Sequence, residues 1–559
     1  MGKKEKFWFG MGTALLVLAF YLLPRLVGLK EFLIVDEPDW YMASANFYYA
    51  VTHFDFAKAA FTYHPAVTTM WVGTAAMLLI FPEYRGLGQG YLNRKEIDGF
   101  FIEQGVLPLD VIATMRVVQV FVLAALFLVF FFLLKKLFDR RLAFGIAVLL
   151  AGEPFIMGHS RVINHEGLLV HFVLISIVAF MIYVHNGREF RYLLLSGVAA
   201  GLANLSKSSA MVLFPLMALM LLEDGWLAGL KQNFGRMLKA YGIWLALLVV
   251  TYIALWPGMW VAPGKMLYGI YGEAFSYIFR GVGLAVEEAS TTNLSTWAEI
   301  QLHLGNILLR TTPVLSLGVL LTIGSFFKRG LLGRKEGLMV LNMAVMALGI
   351  LLIYSVAGGR NSLHYFLLIY IALSVIAALG FMAFFRWVAE RFAWDVAPLS
   401  YVGTLVLGAI LLGLASAQFP YYYTYINPIT AALSPEKDST YGYAEGLELA
   451  AEYLSAKENA ADLTVTSWYA RGPFSYYFPG QVEYIYLVDN VDADFAENLR
   501  ESDYLVIYYP QQLRRNIPAN LLAALKPYTP EKTIVWNGDD YVGIYNLHEM
   551  PETFFDTLP

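Results

Sequence analysis

The chain predicts a polytopic α-helical membrane protein of about eleven transmembrane helices, followed by a soluble α/β domain at its C-terminal end. Three observations carry this. Of its 559 residues 58% are hydrophobic and only 15% are charged, against about half and about a quarter in ordinary soluble domains, and the mean hydropathy is +0.55. Apolar runs recur near the roughly 20 residues that a helix needs to cross a bilayer. From residue 435 the composition changes to mixed polar and β-branched sequence. Having no cysteine excludes disulfides, thiolate metal sites and a cysteine nucleophile.

The first apolar run follows MGKKEKF and reaches residue 29 without a small-residue cleavage site before Pro24-Arg25, so it reads as an uncleaved signal anchor. Further runs lie near 113–134, 142–158, 167–185, 192–204, 209–222, 241–257, 305–326, 337–356, 364–385 and 399–418. The fifth and sixth are short and split by Asn204-Leu-Ser-Lys207, which leaves one long span as the alternative there. With eleven spans, Lys3, Lys4 and Lys6, KKLFDRR (135–141), Arg188 and Arg191, Lys231, Arg236 and Lys239, KRGLLGRK (328–335), and Arg386 and Arg391 all fall on one side. That is the positive-inside pattern, so the N-terminus is expected in the cytoplasm and the C-terminal part outside, in the cell membrane. The expected organisation is a membrane part over 1–420, a linker over 421–440 and the α/β domain over 441–559. In that domain the stretch from Ser434 to Asp462 reads as amphipathic helix, and DLTVTSWYA, DYLVIYYP and KTIVWNGDDYVGIYNL read as strands.

On the outer side the first long loop (30–112) opens with VDEPDW, residues 35–40. Carboxylates there could simply mark the interface, but three within four residues are unusual. Pro38 restrains Glu37 to extended backbone, and DWYMASANFYYAVTHFDF suits a segment lying in the interface. Held at the surface, Asp36 could act as general base on a hydroxyl or amine, with Glu37 beside it. His64-Pro65 then heads PAVTTMWVGTAAMLLIF, an apolar re-entrant or interfacial helix. Arg116, Arg161, Lys207, Arg280 and Arg360 fall near the outer ends of spans. Each alone reads as a snorkelling anchor; together they would form a basic cavity suited to a lipid-borne phosphate leaving group. No Gly-rich phosphate loop or His-Glu-x-x-His zinc motif is present.

The order of these motifs resembles the GT-C glycosyltransferases of the protein O-mannosyltransferase and aminoarabinose transferase type. The matching pieces are Asp36-Glu37, His64-Pro65, Arg116, Ser160-Arg161 with Glu166, GLANLSK ending at Lys207, WPGMWVAP (256–263), and Tyr425-Ile-Asn-Pro428 followed by YGYAEGLELAAEYL. The resemblance implies an inverting transfer of sugar from a polyprenyl-phosphate donor. In it the residue matching Asp36 activates the acceptor, and arginines and lysines hold the phosphate. It also implies substrate-binding roles around His64, Glu166, His364 and Tyr365. The chain departs from the oligosaccharyltransferase relatives by lacking a WWDYG motif. It departs from many bacterial members in having His165-Glu166 where an aspartate is common, and HYF (364–366) where an Arg-Tyr pair is usual.

The expected partners are the lipid-linked sugar, the bilayer and an acceptor that is a protein, a lipid or a glycan; no nucleic-acid partner is expected. No cofactor is required by the motifs, and a divalent metal is possible if Asp36, Glu37, His64 and Glu166 converge. Two other readings use the same cations: a transporter or flippase of a lipid-linked or anionic substrate, and a lipid-linked glycan ligase. A transporter would carry ionisable residues at mid-depth on broken, symmetric spans. The charges cluster at the outer ends instead.

Overall fold

The computed structural model describes residues 3–61, 64–228, 230–272, 295–328, 330–357, 362–433, 442–485, 491–514 and 518–558. Helix α1 (Lys3–Leu26) leads into three helices of the first loop, α2 (Glu37–Thr52), α3 (Val67–Ile80) and α4 (Ile97–Glu103). Then come α5 (Pro108–Leu137), α6 (Arg140–Gly152), α7 (Pro154–His159), α8 (Glu166–His185), α9 (Phe190–Ser206), α10 (Leu213–Ala228) and α11 (Leu230–Leu255). The membrane part closes with α12 (Thr296–Arg310), α13 (Pro313–Ser325), α14 (Arg334–Ala357), α15 (Leu367–Phe392) and α16 (Val396–Ser416).

Among the described residues six helices are long and apolar enough to cross a membrane: α5, α8, α11, α14, α15 and α16, while α12 and α13 pass the same test only as a pair bent by 114°. The other expected spans are helical too, with shorter apolar stretches in α1, α6, α9 and α10. Lys207 separates α9 from α10, with a 3-10 turn over Ser208–Val212, so the chain forms two helices there and not one. The breaks have local causes. Pro154 and Pro313 stand at the first position of α7 and α13, where a missing N–H costs nothing. Thr312 caps α13 by accepting from the Leu315 amide.

Helix α8 is apolar on every face and is buried from Glu166 to Val184, which puts it at the centre of the bundle. Helix α15 is the second buried axis and packs against α13. A Cβ on Gly380 of α15 would lie 2.0 Å from the Gly318 carbonyl oxygen of α13, so the two backbones touch. In helix α2, the segment expected to lie in the interface, eleven of the sixteen residues are buried within the protein. Its aromatic residues occupy several faces, and they pack against α3, α5 and the rest of the first loop.

The C-terminal part carries a five-stranded sheet in the order β2-β1-β3-β5-β4, from β1 (Thr464–Ser467), β2 (Gln481–Tyr484), β3 (Tyr504–Tyr508), β4 (Lys532–Trp536) and β5 (Asp539–Asn546). β1 runs parallel to β2 and β3, whereas β5 is antiparallel to both β3 and β4. β4 and β5 form a hairpin through Asn537 and Gly538, both at positive φ, as a type I′ turn requires. Of the expected amphipathic stretch, 434–441 lies outside the described residues, and within the remainder the α-helix is α17 (Leu447–Ser455). Val35 and Trp536 pack against both this domain's core and the core of the membrane part.

Candidate active site

The hexapeptide 35–40 forms the entry to α2. Asp36 sits at its N-cap, and its carbonyl accepts from the amides of Asp39 and Trp40, each at 3.1 Å. Of these six residues only Asp36 is exposed. Glu37 is fully buried and faces inward. It forms a two-pronged ion pair with Arg116, whose Nε donates to Oε1 at 2.6 Å and whose Nη2 donates to Oε2. The same carboxylate accepts from the amides of Ile34 (2.9 Å) and Ile163 (2.8 Å). Arg116 Nη1 donates to the Leu29 carbonyl at 2.8 Å. Glu37 and Arg116 therefore tie the loop to α5 and to the turn before α8, and each is occupied by the other.

Arg161 is also enclosed. Its guanidinium donates to the carbonyls of Pro420 (3.1 Å), Gly28 (2.8 Å) and Val27, and rests 5.0 Å from the Tyr422 ring centroid. Burial first, and then the neighbouring Arg116, lower its pKa to about 10. Its bonds join the end of α1 to the segment after α16.

Lys207 has different surroundings. At the end of α9 it is buried, its ammonium donates to Glu166 Oε1 at the head of α8, and it lies 4.5 Å from the Tyr365 ring centroid. Burial acts to lower its pKa, but Glu166 more than offsets this, so the charged form is favoured. Imidazoles surround this pair. His165 Nε2 is 3.5 Å from Glu166 Oε1, and neither of its ring nitrogens has a hydrogen-bond partner among the described residues. Burial holds the His165 pKa below its ordinary value. The His64 ring is centred 4.7 Å from that of His165, and the Trp40 ring of α2 meets His165 edge-on at 5.1 Å. The His364 ring is centred 4.2 Å from that of Tyr365 at a tilt of 50°, and its Nδ1 shares a 2.6 Å hydrogen bond with the Tyr443 hydroxyl of the C-terminal domain.

The structure thus gathers His64, Glu166, Lys207, His364 and Tyr365 into one polar cluster, joined through Trp40 to the helix that Asp36 heads. Glu37 and Arg116 are instead taken up by each other, and Arg161 is held by three backbone carbonyls, its Nε having no partner among the described residues. Arg280 and Arg360 lie outside the described residues. Among the described residues no three or more His, Asp or Glu side chains come together as metal ligands.

Several members have no role in the sequence reading. His165 precedes Glu166 and was visible there only as a departure from a common aspartate. His159, buried, comes within 6.3 Å of His364 and 6.0 Å of Tyr443 in ring-centroid distance. Asp98 and Arg471 form a bridge described below, and their separation along the chain gives no local signal.

Residues 101–256, roughly a quarter of the chain, match the family model described as dolichyl-phosphate-mannose-protein mannosyltransferase. The matched stretch holds Arg116, Arg161, Glu166 and Lys207, and over it the chain is similar to glycosyltransferases of the GT-C type. No curated protein matches the chain. Among solved structures it is similar to ArnT from Cupriavidus metallidurans bound to undecaprenyl phosphate, with 14% identity and a TM-score of 0.48 over 95% of this chain and 98% of that one. It is also similar to the archaeal oligosaccharyltransferase AglB from Archaeoglobus fulgidus in complex with an inhibitory peptide and a dolichol-phosphate, with 13% identity and a TM-score of 0.42 over 91% of this chain and 70% of that one.

Proposed function

We propose that the chain is an integral membrane glycosyltransferase that moves a sugar from a polyprenyl-phosphate donor to an acceptor at the outer membrane face. The observation that carries this reading is the joint arrangement of an exposed Asp36 at the head of α2 and, reached through Trp40 and His165, the buried Lys207–Glu166 pair. The family match over 101–256 supports it. A hydrophobic donor enters from the bilayer, and the basic-region pattern supports an outward-facing site with the N-terminus in the cytoplasm.

In this mechanism the acceptor hydroxyl gives its proton to the Asp36 carboxylate while its oxygen bonds to the anomeric carbon. The bond from that carbon to the phosphate oxygen breaks, and the lipid phosphate leaves with the electron pair. Direct displacement inverts the anomeric configuration. Lys207, with its charge retained in a dry setting, is positioned to offset the phosphate charge that develops. His165 and His364 supply polar contacts to the same group. Arg116 and Glu37 serve the loop's geometry.

The test uses purified protein in nanodiscs with radiolabelled polyprenyl-phosphate mannose, glucose or aminoarabinose, each followed for release of sugar. Wild type is expected to release sugar from one donor. Asp36→Asn is expected to lose release while keeping membrane insertion and thermal stability. Full activity in Asp36→Asn would overturn the role of Asp36, and no release from any of the three would overturn the donor class.

A further inference from the structure

The C-terminal domain touches the hexapeptide that carries Asp36. Arg471, in the loop Ala470–Phe474 after β1, donates Nε to Asp98 Oδ2 at 2.7 Å and Nη2 to Asp98 Oδ1 at 3.0 Å. The same guanidinium reaches Asp39 Oδ1 and the Pro38 carbonyl, each at 3.3 Å. Asp98, from α4, also accepts from the hydroxyls of Tyr41 (2.8 Å) and Tyr476 (2.9 Å). Next in the chain, Gly472 lies flat on Pro38: a Cβ there would come within 2.3 Å of Pro38 Cγ, and its φ of +90° is one that other residues rarely adopt. Tyr477 donates to the Lys30 carbonyl at 2.9 Å, just before the hexapeptide.

The loop bearing Asp36 is therefore held from two sides. Arg116 grips Glu37 from the membrane side, and Arg471 grips Pro38 and Asp39 from the outside. Asp36 stands between these holds with its side chain exposed. The outer hold is well shielded, Arg471 being 11% exposed and Asp98 20%, so solvent screens it less than an open surface pair. A two-pronged guanidinium–carboxylate fork also fixes orientation, which an ammonium at the same place would not.

We infer that Arg471 and Gly472 are positioning residues for Asp36: the C-terminal domain fixes the angle at which the first turn of α2 presents that carboxylate. This rests on the reading of Asp36 as general base. It gives the domain a part in the chemical step and does not require it to bind the acceptor.

The experiment uses the full chain in nanodiscs, with water as the acceptor and release from the active polyprenyl-phosphate sugar as the readout, for wild type, Arg471→Ala, Arg471→Lys, Tyr476→Phe and Gly472→Ala. Hydrogen exchange of the backbone amides is followed beside it. Arg471→Ala is expected to lower kcat by about a hundredfold, as misplacement of a reacting group by an ångström does, with donor KM held within about twofold. Arg471→Lys should restore part of kcat, and Tyr476→Phe should lose less than Arg471→Ala. Exchange at the Asp39 and Trp40 amides should quicken in Arg471→Ala and Gly472→Ala, while β3 and β5 exchange as in wild type. Unchanged kcat, a change confined to KM, or exchange that quickens equally in β3 and β5 would overturn the inference. If wild type releases sugar from no donor, the glycosyltransferase reading fails on its own. The exchange measurement then still decides the hold on the loop: unchanged Asp39 and Trp40 amides in Arg471→Ala would overturn it.

Discussion

Arg116 and Lys207 are both buried cations facing buried carboxylates, yet their surroundings differ in kind. Every nitrogen of the Arg116 guanidinium has a partner, and the paired Glu37 takes two backbone amides as well. Lys207 meets one carboxylate oxygen and a ring face, beside an imidazole with unpartnered nitrogens. Removing one partner of a buried pair costs about 3–5 kcal/mol, whereas replacing both by groups of similar volume is often close to neutral. Arg116→Ala is therefore expected to lower the unfolding temperature in detergent sharply. The double variant Glu37→Gln with Arg116→Met should recover much of it and leave donor kcat/KM near wild type. Glu166→Gln with Lys207→Met should fold and lower donor kcat/KM by about tenfold or more, chiefly through kcat; equal kcat/KM effects from the two double variants would refute the distinction. The residue types at these positions were readable in the sequence, but their pairing was not. Glu37 and Arg116 are 79 positions apart, and an arginine near the outer end of a span looks the same whether it awaits a phosphate or already holds a carboxylate.

At the scale of elements, two buried glutamates stand at the entry to α17, Glu448 facing the segment after α16 and Glu445 facing β3 within the C-terminal domain. Glu448 accepts from the Tyr421 hydroxyl through Oε1, and its Oε2 has no partner among the described residues. Glu445 accepts from the Tyr508 hydroxyl and from the Tyr443 amide. Burial pushes the Glu448 carboxyl well above its ordinary 4.5 and raises Glu445 as well. The folded chain then binds more protons than the unfolded chain at any pH between the two pKa values. The stability this gives is complete below about pH 4.5 and is lost as pH rises through the folded pKa. Glu448→Gln is thus expected to unfold at a higher temperature than wild type at pH 7.5, with the gap closing toward pH 5. A gap that widens on acidification would contradict the assignment. Helices and most strands were legible because their signals are local: long apolar runs, and β-branched alternation in β1, β3 and the β4–β5 hairpin. Strand β2 escaped notice because Gln481, Val482, Glu483 and Tyr484 are largely exposed and form no apolar run. The burial of α2 was equally hidden, since aromatic residues suit an interface and a packed core alike.

For the molecule as a whole, the two cores are continuous. Val35 and Trp536 belong to the surroundings of both, Trp536 donates to the Thr424 hydroxyl at 2.9 Å, and Asn537 donates to the Thr424 carbonyl at 3.1 Å. Melting followed by tryptophan fluorescence is accordingly expected to show one transition, shifted downward as a unit in Trp536→Ala; two separated transitions in wild type would show the parts to be independent. The hold of Arg471 on Asp39 also has a consequence in time. The two residues are 432 positions apart, so at about 5–20 residues per second the ribosome finishes the outer half of that grip roughly 20–90 s after it has made the loop. Through that interval the first turn of α2 has the pair that Asp39 makes with Arg94 of its own loop but not the grip of Arg471, and a newborn chain acquires its full geometry only once the C-terminal domain has emerged and folded back onto the first loop.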